Sequence, residues 1–130
     1  MEKYFNEFLK SSWGLELWFN GGKIYKSKKS GVKGLLDFIK RHGNRYKNII
    51  IFDKIVGQGV ALLAAYLGAK EIYGKTGSKL AAKALRKYKI KFYFKKTVTN
   101  ILNKKGNDIC PLEKTSFSKK PEEFYNCFNK

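Results

Sequence analysis

Several residue types are scarce in this 130-residue chain, and each scarcity excludes a class of protein. Only two cysteines are present, Cys110 and Cys127, which is too few for the disulfide framework of a small secreted domain. No apolar run approaches the ~20 residues that cross a membrane. The first ten residues mix acidic with aromatic side chains and contain no apolar signal-peptide segment. We therefore expect a cytoplasmic protein with reduced thiols and no membrane contact through a spanning helix.

Acidic residues are also scarce: ten Asp and Glu stand against 28 Lys and Arg, for a formal net charge of +18. An excess of that size favours contact with an anion such as nucleic acid, a nucleotide or a membrane surface. Lysine supplies most of the charge, and lysine-rich compositions also arise in AT-rich genomes and hot habitats. The charge alone therefore does not separate a functional surface from a compositional bias.

Apolar residues make up 43% of the chain, enough for one globular domain over residues 1–130. Patterns of helix and strand alternate along it, and the turn Asn20-Gly21 between apolar runs predicts a β-hairpin. The chain is bounded by a predicted N-terminal helix (1–12) and a C-terminal helical tail (117–130). Strands that alternate with helices predict an α/β fold, here a three-layer α-β-α sandwich whose mixed sheet opens with the hairpin.

Two predicted helix starts carry the residues with chemical potential, because unpaired N–H groups and the helix dipole meet there. At the first, Asp53 and Lys54 follow the apolar strand 48–52, and Gly57 leaves room for a ligand or another backbone. A second interpretation needs no ligand: Asp53 is then a helix N-cap and the glycines are packing spacers.

At the second helix start, Cys110 precedes Pro111 and lies three residues before Glu113. Proline at the first helical position and glutamate at the third are typical of a helix start, where Glu113 can reach back to the cap N–H. Cysteine is a poorer cap than serine or aspartate, so local geometry does not explain Cys110. The helix dipole and Lys54 lower the pKa expected for this thiol below its free value of about 8.5, which makes a thiolate nucleophile a reasonable hypothesis.

The motif F-D-K-I-V-G-Q-G-V-A at 52–61, followed by Val98, Ile101 and Asn103 and then by I-C-P-L-E-K at 109–114, resembles a prokaryotic family of unknown function. That family belongs to the cytidine-deaminase-like superfamily, and the resemblance extends over about 15–116. It implies that the two helices lie side by side and that their N-termini frame one pocket.

The zinc ligands of true deaminases are missing from this resemblance. Those enzymes carry H-x-E on the first helix and P-C-x-x-C on the second. Here the only histidine, His42, is followed by Gly43 and Asn44, and the second motif has one cysteine. We therefore expect no metal, no cofactor and no zinc-dependent deamination, while catalysis of another kind stays open. The predicted small-molecule site has Cys110, Asp53 and Lys54 as catalytic candidates and Gly57, Gln58, Asn103 and Glu113 as ligand-binding candidates.

Three alternatives remain. A basic surface over 79–96 predicts nucleic-acid binding, with Lys79, Lys83, Arg86, Lys87 and Lys91 as the contact residues. A redox switch would pair Cys110 with Cys127. Trp18 and the C-terminal aromatics leave room for a homo-oligomer interface, although packing in the core explains them equally well.

Overall fold

The computed structural model describes residues 1–102, 105–106, 108 and 111–128. The helices in these residues are α1 (Glu2–Lys10), α2 (Gly31–His42), α3 (Gln58–Leu67), α4 (Lys79–Lys87), α5 (Pro111–Thr115) and α6 (Pro121–Asn126). The strands are β1 (Leu15–Phe19), β2 (Gly22–Ser27), β3 (Ile50–Val56), β4 (Glu71–Ser78) and β5 (Lys91–Val98). No helix in these ranges is both long and apolar enough to cross a bilayer.

The five strands form one open mixed sheet in the order β2-β1-β3-β4-β5. Strand β1 is antiparallel to both β2 and β3, whereas β3, β4 and β5 are parallel and are connected through α3 and α4. At the hairpin turn Asn20 and Gly21 have φ angles of 50° and 79°, the left-handed values that a two-residue turn requires. The predicted α/β architecture with a hairpin at the start of the sheet is confirmed.

Helices cover the two faces of the sheet unequally, because successive side chains of a strand point to opposite faces. On one face Phe52 packs against Phe5 and Phe8 of α1, with ring centroids 5.4 Å and 5.7 Å apart. On the other face Ile51 lies in the main hydrophobic core with side chains of α2, α3 and α4. Trp18 belongs to the smaller cluster under α1 and is 9% exposed, so it packs in the core.

Helix α3 is apolar nearly all round because it is covered from both sides. Its inner side chains face the sheet, and α6 packs on its outer side with Phe124 fully buried. Gly59 allows this contact: a Cβ atom there would lie 2.7 Å from Cζ of Phe124 and 2.9 Å from Cγ2 of Val32. The predicted C-terminal tail therefore includes a helix that completes the core.

Two strands are longer than predicted. The short run Glu71-Ile72-Tyr73 predicts a strand of three residues, but β4 covers Glu71–Ser78, and β3 continues to Val56 instead of ending at Phe52. Both lie inside the sheet and pair with neighbours on each side, so backbone pairing extends them past the point where the apolar pattern stops. As a result Asp53 and Lys54 lie within β3 and not in a loop after it.

We expect Gly59→Ala to destabilise the protein by about 1–3 kcal/mol, because an added methyl group overpacks the contact with Phe124. Urea unfolding followed by circular dichroism measures the loss. Gly22→Ala is the control, since its nearest non-neighbouring atom would be 3.8 Å away. In a Phe124→Ala background, where only the close contact with Val32 remains, the Gly59→Ala change should cost less; an equal cost in both backgrounds would contradict this explanation.

Candidate functional site

A cavity of about 250 Å³ lies where the N-termini of α2 and α3 meet the end of β3. Its described wall consists of residues 30–33 at the start of α2, of Ile55, Gly57, Gly59 and Val60 around the β3–α3 junction, and of Ile101, Leu102 and Glu113 from the C-terminal part of the chain. The wall is mainly apolar, with one buried carboxylate. Residues far apart in sequence thus meet at one opening.

Glu113 connects the two helix starts that the sequence analysis identified. Its side chain is buried, and its carboxylate accepts hydrogen bonds from the backbone N–H of Gln58 at 2.5 Å and of Ile101 at 3.1 Å. Gln58 is the first residue of α3, whose N-cap residue Gly57 has no side chain to cap the helix. The carboxylate supplies that cap and places negative charge at the positive end of the helix dipole. A Cβ atom on Gly57 would lie 3.0 Å from Glu113 Oε2, so glycine keeps the space open.

Asp53 is a buried cap of a different helix. Gly31, the first residue of α2, has its N–H 3.0 Å from both carboxylate oxygens of Asp53, and the N–H of Ile55 donates to Oδ1 at 3.0 Å. The side chain of Ser30, the N-cap residue, makes no cap hydrogen bond. The interpretation of Asp53 as a cap is correct in kind, but the capped helix is α2 and not α3, and Asp53 does not line the cavity.

Burial raises the pKa of Asp53 from 3.8 to about 7. The backbone N–H groups of Ile55, Gly31 and Lys54 act in the opposite direction, as does the ammonium group of Lys54. The desolvation of the ionised carboxylate raises the pKa by more than these hydrogen bonds and this charge lower it. The cap therefore changes its charge near neutral pH.

The structure does not bring Lys54 to the cavity. Its ammonium Nζ donates to the backbone oxygen of Ser11 at 2.8 Å and lies 4.8 Å from the centre of the Phe8 ring. Both partners belong to the α1 side of the sheet. Because Asp53 and Lys54 are consecutive residues of β3, their side chains point to opposite faces, and they do not share one pocket as predicted.

The remaining predicted residues have different positions. Gly57 lines the cavity, whereas Oε1 of Gln58 accepts a hydrogen bond from the hydroxyl of Ser116 at 3.1 Å and so holds α3 to the segment after α5. Cys110 and Asn103 lie outside the described residues, and their predicted roles stay predictions.

Sequence reasoning missed the part of the wall that comes from α2. Ser30 lines the cavity and its side chain makes no cap hydrogen bond, and Lys33 is exposed at the rim. Gly31, the first residue of α2, has a positive φ of 69°. No local sequence pattern indicates that the acceptor for its N–H is the carboxylate of Asp53.

In the ranges that the structure describes, no group of three or more His, Cys, Asp or Glu side chains is placed to hold a metal ion. His42 is the last residue of α2, and its ring centroid lies 4.9 Å from that of Phe38 and 6.0 Å from that of Tyr46. Cys127 donates from Sγ to the backbone oxygen of Glu123 at 3.4 Å.

A family model described as TM1506, a domain of unknown function (DUF1893), matches residues 6–130. The chain belongs to the DUF1893 family. It is similar to the crystal structure of a DUF1893 family protein (TM1506) from Thermotoga maritima, with a TM-score of 0.84 and 27% sequence identity over 98% of this chain and 86% of that chain. No curated protein matches it. Membership of a family of unknown function, predicted from the paired motifs, is confirmed.

This DUF1893 domain carries its predicted basic residues on two surfaces and not on one. Four of them are exposed along α4: Lys79, Lys83, Arg86 and Lys87. On β5 Phe92 packs toward the helices of that side, with the guanidinium of Arg86 5.3 Å from the ring. Lys91 precedes Phe92 in the strand and therefore points to the α1 side. The single surface predicted over 79–96 is divided by the edge of the sheet.

The buried cap of this DUF1893 domain makes stability depend on pH. The folded state keeps the Asp53 proton up to about pH 7, whereas the unfolded chain releases it near 3.8. The folded state therefore binds more protons between these values, and stability falls as pH rises through this window. Relative to Asp53→Asn, the wild type should lose up to ~1.4 kcal/mol per pH unit between about pH 5 and about pH 7.

Urea unfolding at several pH values measures this difference. Asp37→Asn is the control, because Asp37 lies in the same helix that Asp53 caps but forms only a partly exposed ion pair with Lys29. Parallel stability curves for the wild type and Asp53→Asn would show that Asp53 titrates as it does in the unfolded chain.

Proposed function

We propose that the cavity between α2, α3 and the C-terminal segment binds a small uncharged molecule, of the size of a nucleobase or nucleoside, that offers hydrogen-bond donors. The observation that carries this proposal is the carboxylate of Glu113, buried in the wall of an otherwise mainly apolar cavity. An apolar pocket with a few convergent polar groups is the usual form of a small-molecule site.

The charges at the helix starts favour an uncharged ligand over an anion. A free helix N-terminus attracts phosphate, because its N–H groups and dipole face the ligand. Here the N–H of Gln58 already donates to Glu113 and that of Gly31 already donates to Asp53. A phosphate inside the cavity would meet the carboxylate of Glu113, and the one nearby cation, among the described residues of the wall, is Lys33 at the exposed rim.

Size and polarity favour a base-like ligand. The volume of about 250 Å³ lies just below the range of ~300–1,000 Å³ that accommodates drug-sized ligands, so the cavity suits a small planar molecule. The side chains of Val32, Ile55 and Val60 offer apolar contact to a ring, and Glu113 offers an acceptor to an exocyclic amino group.

We also propose that the fold is cytidine-deaminase-like. The resemblance implies two helices with adjacent N-termini, and two observations support it: the mixed sheet opens with a hairpin, and Glu113 of α5 contacts the first residue of α3 from 55 positions away. On this view the pocket of the superfamily is retained without its zinc ligands.

Titration with nucleosides, monitored through the backbone amide resonances of Gly31, Gly57 and Gly59, tests the ligand proposal. Cytidine and adenosine carry an exocyclic amino group and should shift these resonances. Uridine, which presents an oxygen instead, should bind at least about tenfold more weakly, since one lost hydrogen bond to a charged acceptor costs about 1.5–3 kcal/mol net of the exchange with water. Gly21 and Gly43 lie outside the cavity and serve as internal controls.

Two substitutions make the test specific. Ile55→Trp fills the mouth of the cavity and should abolish the shifts, whereas Phe117→Trp adds a similar ring at a partly exposed position that does not line it. Glu113→Gln should remove the preference for amino-bearing nucleosides, and Glu122→Gln, on an exposed side chain of α6, should not. The proposal fails if no nucleoside shifts the three glycine resonances or if Ile55→Trp leaves the shifts unchanged.

In the enzymatic form of the proposal, Cys110 is the nucleophile toward a bound electrophile. Its sequence position before Pro111, the first residue of α5, supports a lowered thiol pKa. In a Cys127→Ser background, alkylation of the remaining thiol should reach half its maximal rate below pH ~8.5. A midpoint at the free-thiol value would leave a binding protein without an activated cysteine.

A further inference from the structure

The α1 side of the sheet is only partly covered, and its open part lies over β4 and β5. Helix α1 reaches this part through Phe5, whose ring centroid is 5.4 Å from that of Tyr73 and 6.1 Å from that of Tyr93. Tyr93 is 54% exposed and belongs to β5, the edge strand of the sheet. Lys75 of β4 and Lys95 of β5 are exposed beside it.

The strand register arranges the side chains of this face in two adjacent rows. Phe52, Tyr73 and Tyr93 lie opposite one another on β3, β4 and β5 and form an aromatic row. Lys54, Lys75 and Lys95 lie two residues further along these strands. The pairs immediately before and after them keep the same register, which therefore brings the three lysines side by side. Rows two residues apart on one face are separated by ~7 Å. We name the part formed by Tyr73, Tyr93, Lys54, Lys75 and Lys95 the open sheet face.

The row of three lysines is unfavourable for the fold itself. Like charges directly opposite on neighbouring strands repel one another. Burial and, second, the positive charge of Lys75 lower the pKa of Lys54, while Glu16 and Asp53 act in the opposite direction. The ion pairs that join described residues are Lys23–Glu16, Lys29–Asp37 and Lys114–Asp108, and none of them involves this row.

Lysines on an edge strand also discourage sheets from pairing edge to edge. That role accounts for Lys95 on β5. It does not account for Lys75, because β4 lies between β3 and β5, or for Lys54 on the central strand. Nor does it explain why a half-exposed tyrosine lies next to the lysine row.

We infer that the open sheet face binds single-stranded nucleic acid, with a base stacked on Tyr93 and the adjacent phosphates held by Lys75 and Lys95. Proteins that bind single strands combine aromatic platforms for the bases with cations that follow the backbone. The two rows provide both elements on one face of the sheet, where Glu71, hydrogen-bonded to Tyr73, lies on the side of the aromatic row away from the lysines. The bases of a duplex are already stacked on each other, so a duplex could use only the lysines. This surface is separate from the cavity, and its ligand is an anion whereas that of the cavity is uncharged.

Binding of a fluorescein-labelled oligothymidylate of about twelve nucleotides, measured by anisotropy at low salt, tests the inference. Tyr93→Leu should weaken binding about tenfold, because it removes a stacked ring, and Tyr93→Phe should stay within about twofold of the wild type. The double variant Lys75→Gln/Lys95→Gln should make the slope of log K against log salt shallower by about 1.4, as expected for two lost phosphate contacts.

The double variant Lys83→Gln/Arg86→Gln is the matched control, since it removes the same charge from the exposed face of α4. It should leave the salt slope nearly unchanged. All four substituted positions, like Tyr93, are exposed, so circular dichroism should show unchanged folding.

Four outcomes would overturn the inference: no oligonucleotide binding at low salt, equal affinity of Tyr93→Leu and Tyr93→Phe, an equal change of salt slope for the two double variants, or a duplex that binds as tightly as the single strand. The last two would indicate attraction by net charge alone. Binding of nucleosides in the cavity is measured separately and does not depend on any of these results.

Discussion

The buried carboxylate of Glu113 is the contact on which the C-terminal part of the structure depends. It joins α5 to the start of α3 and to the segment after β5 at Ile101 through two backbone hydrogen bonds. A buried N–H without a partner is costly, so the first turn of α3 requires an acceptor there. Gly57 carries no side chain, and the acceptor comes from another helix. Glu113 also lines the cavity, so one carboxylate both caps α3 and forms part of the cavity wall.

The side chains that cap α2 and α3 are acidic, whereas the surface of the chain is mainly basic. The surface of the chain is strongly cationic, with a formal net charge of +18. At the two helix starts, however, Asp53 and Glu113 occupy the positions where an anion would bind. Long-range attraction of anions to the surface is therefore compatible with their exclusion from the cavity. The two proposed sites would in this way select ligands of different charge.

Local patterns in the sequence predicted the elements, and they failed where contacts between distant residues decide the outcome. The predicted hairpin at Asn20 depends on neighbouring residues and is confirmed. The cap of α4 is equally local, since Oγ of Ser78 accepts from the N–H of Ala81 at 3.0 Å. The faces of Asp53 and Lys54 depend on how far β3 extends, which pairing with β1 and β4 determines. The contact of Glu113 with α3 closes a loop of more than fifty residues, and no spacing rule reports such a closure.

The packing of α6 on α3 has a consequence for the order in which the protein is made. Phe124 covers the outer side of a helix that was synthesised some sixty residues earlier, and Glu113 caps it from nearly as far. A nascent chain that has reached Ile101 therefore exposes an apolar helix and lacks the acceptor for its first turn. Translation of the last fifth of the chain covers the exposed apolar side of α3 and supplies its cap. A ribosome stalled in that region would therefore hold an aggregation-prone intermediate.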